Sequence, residues 1–292
     1  MIWPWQDGKE GFSWLKAGTF ALMFVPAILL LHDLATGEFG PVPLGGLTYW
    51  SGVWATALLL LALAITPAST IFRWRRLIIV RRMIGVTALA YTVAHIIIYF
   101  ALRFWNFAFI AHEMVTRLSL IVATVSTIGL IALGATSFDA AVRRMGAKGW
   151  QQLHNAIYVV TALALLHYLL SPGLFPDQFL LSGMFFWLMV WRVLHRRGQG
   201  TNAAALALLA VASCVFTAVF EVGCIWAFRG YELSEIFSIY FTPILGIPPA
   251  WTILALGLLI AVAAFARQAL GLGVAGLDAR KGSKRCPAIN PP

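Results

Sequence analysis

Eight stretches of this chain, near residues 15–32, 46–65, 83–102, 116–135, 152–170, 174–191, 203–226 and 250–269, are almost unbroken series of apolar side chains. Each has about the 20 residues that an α-helix needs to cross the hydrocarbon core of a bilayer. No water reaches a backbone there, so every N–H and C=O must be paired inside a helix or a closed barrel. A barrel requires short strands of period two separated by turns, and the sequence has no such alternation. The expected fold class is therefore all-α, a polytopic transmembrane helix bundle of about eight helices. Composition agrees: 61% hydrophobic and only 11% charged residues do not describe a water-soluble domain of 292 residues.

Lys and Arg near helix ends are retained on the cytoplasmic side, so their distribution orients the bundle. One set of loops carries Lys9 and Lys16; Arg73, Arg75, Arg76, Arg81 and Arg82; Arg143, Arg144 and Lys148; Arg192, Arg196 and Arg197; and Arg267, Arg280, Lys281, Lys284 and Arg285, which is 18 of the 21 basic residues. The opposite loops carry Arg103, Arg117 and Arg229 with most of the acidic residues, Glu113 among them. Both termini are expected in the cytoplasm, of a bacterial inner membrane. The net charge of +10 then follows from topology and from attraction to anionic membrane lipid, with no nucleic-acid partner.

The amino-terminal MIWPWQDGKEGFSWLK is polar and aromatic, and no small-residue cleavage site follows the first apolar run, so an uncleaved anchor is expected. The three cysteines, Cys214, Cys224 and Cys286, form no framework, and the absence of CxxCH excludes c-type haem attachment. Gly271, Gly273 and Gly276 match GxGxxG but follow a membrane helix and have 16 residues after them, too few for a βαβ unit, and so form a flexible exit from the last helix. The expected organisation is a first segment and helix (1–45), a four- to five-helix core (46–200), two added helices (201–270) and a cytoplasmic tail (271–292).

An ionisable side chain inside a membrane is costly, which makes each histidine a functional hypothesis. His32 closes the first helix, His112 stands beside Glu113 in an outer loop, and His195 sits in the basic RVLHRR; all three suit a wetted interface. His95 lies 12 residues beyond Met83 and His167 14 beyond Leu153, so at 1.5 Å per residue both stand about 18–21 Å from the cytoplasmic ends of their helices. Two neutral imidazoles at one depth are either the axial pair of a b-type haem or core histidines that bond neighbouring helices. His154 is 13 residues before His167, a spacing suited to a second haem nearer the cytoplasm. On a straight helix, however, the two point about 140° apart, and helix three offers Arg82 in place of a histidine at that level.

The runs RRMIGVTALAYTVAHIIIY (81–99) and EMVTRLSLIVATVSTIGLIALGATSFDAAVRRMGAKGWQQLHNAIYVVTALALLHYLL (113–170), with the earlier ITPAS (65–69), resemble the MsrQ (YedZ) family, haem-binding membrane subunits of the periplasmic methionine sulfoxide reductase system. The resemblance covers about half of the chain. It implies a ferric-reductase-like transmembrane core that binds b-type haem, in some members also FMN. It further implies transfer of electrons from the quinone pool to a periplasmic molybdenum-containing reductase that repairs methionine sulfoxide. His95, His154 and His167 fall on the family's histidine positions, and His112 does not. The last two helices exceed the family's minimal six.

The resulting expectation is an electron-transfer subunit of an oxidoreductase system, not itself the enzyme acting on methionine sulfoxide. His95 and His167 ligate an outer haem, and His154 belongs to an inner site. Arg103 and Arg117 are candidates to pair with haem propionates. Without a nucleotide-binding domain, electrons come from quinol or a cytosolic flavin reductase. Two alternatives stand beside it: a ferric or quinone reductase serving another acceptor, and a haem-free proton-coupled transporter using the histidines and Glu221 as a relay.

Overall fold

The computed structural model describes residue 5 and residues 11–173, 175–230, 232, 234 and 246–270. Lys9, the glycine triplet, the basic tail and most of the loop before the last helix lie outside them. Among the described residues the chain is helical without sheet, and eight helical stretches are long and apolar enough to cross a membrane, in register with the eight apolar runs. The chain is a multi-pass membrane protein of the expected all-α class.

The first crossing is two helices, α1 (Trp14–Leu22) and α2 (Val25–Thr36), where one was expected. At their junction the Tyr91 hydroxyl donates to Met23 O (2.9 Å) and accepts from Ala27 N (2.9 Å), standing inside the step that would otherwise join residue 27 to residue 23. A side chain inserted into the helical ladder is a recognised cause of a bend, and here it replaces the bond it interrupts.

Helix α3 (Pro43–Ile71) is the centre of the bundle: 61% of its apolar window is buried, against 11–44% for the other spans. Pro67 lies inside it and has no N–H to give to the carbonyl four residues back, that of Leu63. That carbonyl instead accepts from Arg192 Nη2 at 3.0 Å. Arg192 belongs to α9 (Pro176–Arg196); its Nη1 donates to Leu188 O at 2.7 Å and its guanidinium lies 4.8 Å from the Tyr158 ring. A charged side chain is thus tolerated in the bundle because it supplies the donor that proline removed. In the same way Arg267, on α11 (Pro249–Ala269), donates to Ile71 O in the last turn of α3.

After a 3-10 turn (Arg75–Val80), α4 (Arg81–Leu102) returns along α3 in the most extensive contact between crossings. A short α5 (Phe107–Thr116) leads into α6 (Leu118–Ala135), which packs on α8 (Ile157–Leu170). Gly129 makes this approach close, since a Cβ there would meet Val160 Cγ2 at 2.6 Å, and Ser126 Oγ donates to Val160 O at 3.0 Å. Between α6 and α8 runs α7 (Asp139–His154), bent at Gly146 (φ 72) and ending in a turn at Asn155 and Ala156. His154 and His167 therefore sit on separate helices, although the sequence suggests one. Finally α10 (Ala203–Arg229) and α11 pack on each other and against α9.

Contacts between loops place the basic segments together at one end of the bundle. Arg82 pairs with Asp139 at 2.7 Å, and Gln268 donates to Thr201 O at 2.6 Å beside Arg267 and the end of α3. This end is called basic below, and the other the opposite end.

Candidate functional site

Helices α3, α4, α6 and α8 enclose a cavity of about 560 Å³, within the range of small-molecule and cofactor sites, roughly 300–1,000 Å³. The space follows from residue size. Gly45, Thr48, Gly52, Ala55 and Leu59 recur on one face of α3 at alternating steps of three and four, so small side chains line most of one wall. Facing them, α6 contributes Ala123 and Thr127, and α8 contributes Ala164.

Into this cavity α4 brings His95 and α8 brings His167. Their ring centroids are 6.5 Å apart, with the planes inclined by 72°. His95 Nδ1 lies 2.9 Å from Thr48 O and 3.2 Å from Ser51 Oγ; His167 Nδ1 lies 2.9 Å from Ser119 O. A carbonyl oxygen can only accept, so each ring carries its proton on Nδ1 and keeps the Nε2 lone pair. Neither Nε2 has a hydrogen-bond partner among the described residues. The two readings of these histidines thus coincide: each bonds a neighbouring helix through one nitrogen and thereby presents the other. A metal about 2 Å from each Nε2, with roughly 1 Å more from each nitrogen to its ring centre, would separate the centroids by roughly 6 Å, close to what is seen.

The approach of His95 to α3 depends on Gly52, where a Cβ would stand 3.0 Å from His95 Cε1 and 3.2 Å from Nδ1. Any side chain larger than glycine's hydrogen would press on the ring and require it to give way by a few tenths of an ångström.

His154 does not line this cavity. It ends α7 toward the basic end, stacked on Trp150 (centroids 3.9 Å, planes 23° apart), with Nδ1 3.2 Å from Trp150 O and Nε2 3.4 Å from Ser137 Oγ. No group of three or more His, Cys, Asp or Glu side chains suited to a metal ion occurs among the described residues. His32, His112 and His195 are exposed: His32 Nδ1 lies 3.1 Å from Asp33, and His195 stacks on Trp191. Glu221 is buried on α10 and does not line the cavity.

At the opposite end, Arg103 and Arg117 do line the cavity, with Tyr99. Sequence reasoning assigned Glu113 to an outer loop, but it is only 2% exposed, on α5, and binds all three. Tyr99 Oη donates to its Oε2 at 2.7 Å, Arg103 Nε lies 3.0 Å from Oε2 with Nη2 3.3 Å from Oε1, and Arg117 Nη2 lies 2.8 Å from Oε1. The four-residue step from Glu113 to Arg117 was the available signal for this pairing. A second network was also missed. Asp177 accepts from Tyr49 Oη at 2.7 and 2.8 Å and from Tyr168 Oη, and the two phenol oxygens lie 2.8 Å apart; both tyrosines line the cavity. These partners are far apart in the chain, and no local pattern announces them.

Residues 51–165, which carry both cavity histidines' helices nearly to His167, match the family described as ferric reductase like transmembrane component. Among curated proteins, the protein-methionine-sulfoxide reductase heme-binding subunit MsrQ of Azospira oryzae is 34% identical over 194 residues, covering 65% of this chain and 83% of that protein. The same-named subunit of Cronobacter sakazakii is 34% identical over 168 residues (57% and 84%), and that of Polaromonas naphthalenivorans 32% over 215 residues (68% and 97%). No solved structure matches the chain. With a relative above 30% identity spanned over more than four-fifths of its length, and a cavity formed by the matched helices, this chain belongs to the MsrQ family.

Proposed function

We propose that the chain is the haem b-binding electron-transfer subunit of a methionine sulfoxide reductase system in a bacterial inner membrane, with its basic end and both termini in the cytoplasm. The observation that carries this reading is the imidazole pair: His95 and His167 face one cavity with Nδ1–H given to backbone carbonyls and Nε2 left free. These two side chains would hold the haem iron. A haem held between them supplies one-electron transfer at its iron. The residues do the rest. The two imidazoles would hold the iron from two helices, and the carbonyls of Thr48 and Ser119 keep both rings in the tautomer that leaves Nε2 able to bind it. Mostly apolar walls from four helices keep the surroundings of low polarity, and Arg103 and Arg117 offer positive charge to carboxylates at the edge of the cofactor. The cavity reaches the opposite end, outward in this orientation, which supports delivery of electrons to a periplasmic methionine sulfoxide reductase. Quinol is the donor favoured by family membership, with a cytosolic flavin reductase docked on the basic end as the other source. An inner group nearer that end would have His154 as its histidine.

The test is a visible spectrum of the purified protein followed by turnover. Dithionite should produce a reduced α-band that His95→Ala and His167→Ala lose. Quinol should reduce the same chromophore, and the purified periplasmic reductase with methionine sulfoxide should reoxidise it. A featureless spectrum would leave the transporter reading, and failure of the reductase to reoxidise the chromophore would point to another acceptor.

A further inference from the structure

The buried carboxylate of Glu113 is paired with more positive charge than it carries. Two guanidiniums and one phenol converge on it within 2.7–3.3 Å, so the cluster keeps one net positive charge. The three helices that supply it are successive: Arg103 caps the end of α4, Glu113 lies on α5, and Arg117 caps the start of α6. Arg103, Arg117 and Tyr99 line the cavity and Glu113 does not, so the carboxylate stands behind them as seen from the cavity. Each guanidinium has five N–H donors, and those not used on Glu113 remain for anionic groups. Glu113 fixes where both arginines point, and its own negative charge is held out of water, where screening is weakest.

We propose that Glu113 is a positioning residue that lowers the reduction potential of the iron held between His95 and His167, because its charge offsets part of the positive charge that Arg103 and Arg117 present to the cavity. This rests on the haem reading above and adds an electrostatic device to it. Reduction adds one negative charge to the cofactor. A nearby buried carboxylate opposes that charge and the two arginines favour it, so the poise depends on their ratio, which Glu113 sets. A purely structural role, tying α5 to its neighbours, predicts lost stability with an unmoved potential.

The experiment is a potentiometric titration of the reduced α-band in the full-length haem-loaded protein in detergent. Glu113→Gln keeps an acceptor for Tyr99 and removes the charge; it should shift the midpoint upward at full haem content. Arg117→Gln, at a half-exposed side chain and so well tolerated, should shift it downward. Opposite signs support the proposal. Midpoints unchanged in both variants, or moved in the same direction, overturn it. If Glu113→Gln does not fold, Tyr99→Phe decides, since it removes the phenol that donates to the carboxylate and leaves the charge less shielded: a downward midpoint supports the proposal, and none or an upward one overturns it. A native protein with no reducible chromophore would instead remove the haem reading on which the proposal stands.

Discussion

Gly52→Ala tests the site where the geometry is tightest. A methyl group at residue 52 would meet His95 Cε1 at 3.0 Å, whereas unstrained carbon contacts lie at about 3.5–4.0 Å. The ring must therefore retreat by a few tenths of an ångström. Its Nδ1–H bond to Thr48 O is 2.9 Å, and N–H···O bonds extend to about 3.2 Å, so a retreat of that size stretches it to the limit and weakens it. Losing the bond that orients a metal-bound histidine typically costs about 10–100-fold in affinity, or about 1.4–2.7 kcal/mol. Against this, Ala is better than Gly inside a helix by about 0.5–1 kcal/mol. Without haem the two effects nearly offset, since the weakened bond costs up to about 0.5–1.5 kcal/mol and the helix gains about 0.5–1 kcal/mol, so stability should stay close to native while haem affinity falls by up to about tenfold. Titrating haem into the protein, with thermal unfolding of the haem-free form alongside, measures both. The control is Gly85→Ala on α4, the helix of His95, where a Cβ meets nothing within 4 Å and affinity should not change. Native affinity in Gly52→Ala, or an equal loss in Gly85→Ala, would refute the reasoning.

Other predictions address the frame. Arg192→Met should lower stability by about 1–3 kcal/mol by orphaning the Leu63 carbonyl, and the cost should largely vanish in a Pro67→Ala background, where residue 67 regains its N–H; thermal unfolding of the four proteins of this cycle measures it. Tyr91→Phe should cost about 1–2 kcal/mol and loosen the α1–α2 junction, seen as faster amide exchange at residues 23–27. His112→Ala and His154→Ala should leave the α-band assigned to His95 and His167 in place, since neither side chain lines that cavity; loss of the band in either variant would contradict the ligand assignment.

The eight crossings were legible because a bilayer imposes length and apolarity on each of them independently of tertiary contacts. The shared level of His95 and His167 was legible for a similar reason, a constant rise per residue. Breaks within crossings were not. His154 followed by Asn155 is only a weak stop signal inside an apolar run, and the bend at Met23 is made by Tyr91, 68 residues away. Helix α5 has ten residues, too few to cross, so Glu113 read as a loop residue although it is buried. Arg103 and Arg117 stood out as exceptions to the charge asymmetry; their partner did not. Which glycine admits His95 is likewise a fact of packing, invisible in a chain with 25 glycines.

The rings of His95 and His167 are aimed by main-chain oxygens, those of Thr48 and Ser119. Every residue type has that oxygen, so the orienting contacts are insulated from point substitution at positions 48 and 119. Drift there can proceed without disturbing the ligands, provided the helices keep their register. Insertion or deletion of a single residue in α3 or α6 would be far more damaging than replacement of any side chain at those two positions, because it would rotate the needed carbonyl away by about 100°. The site is thus robust to one class of mutation and brittle to the other.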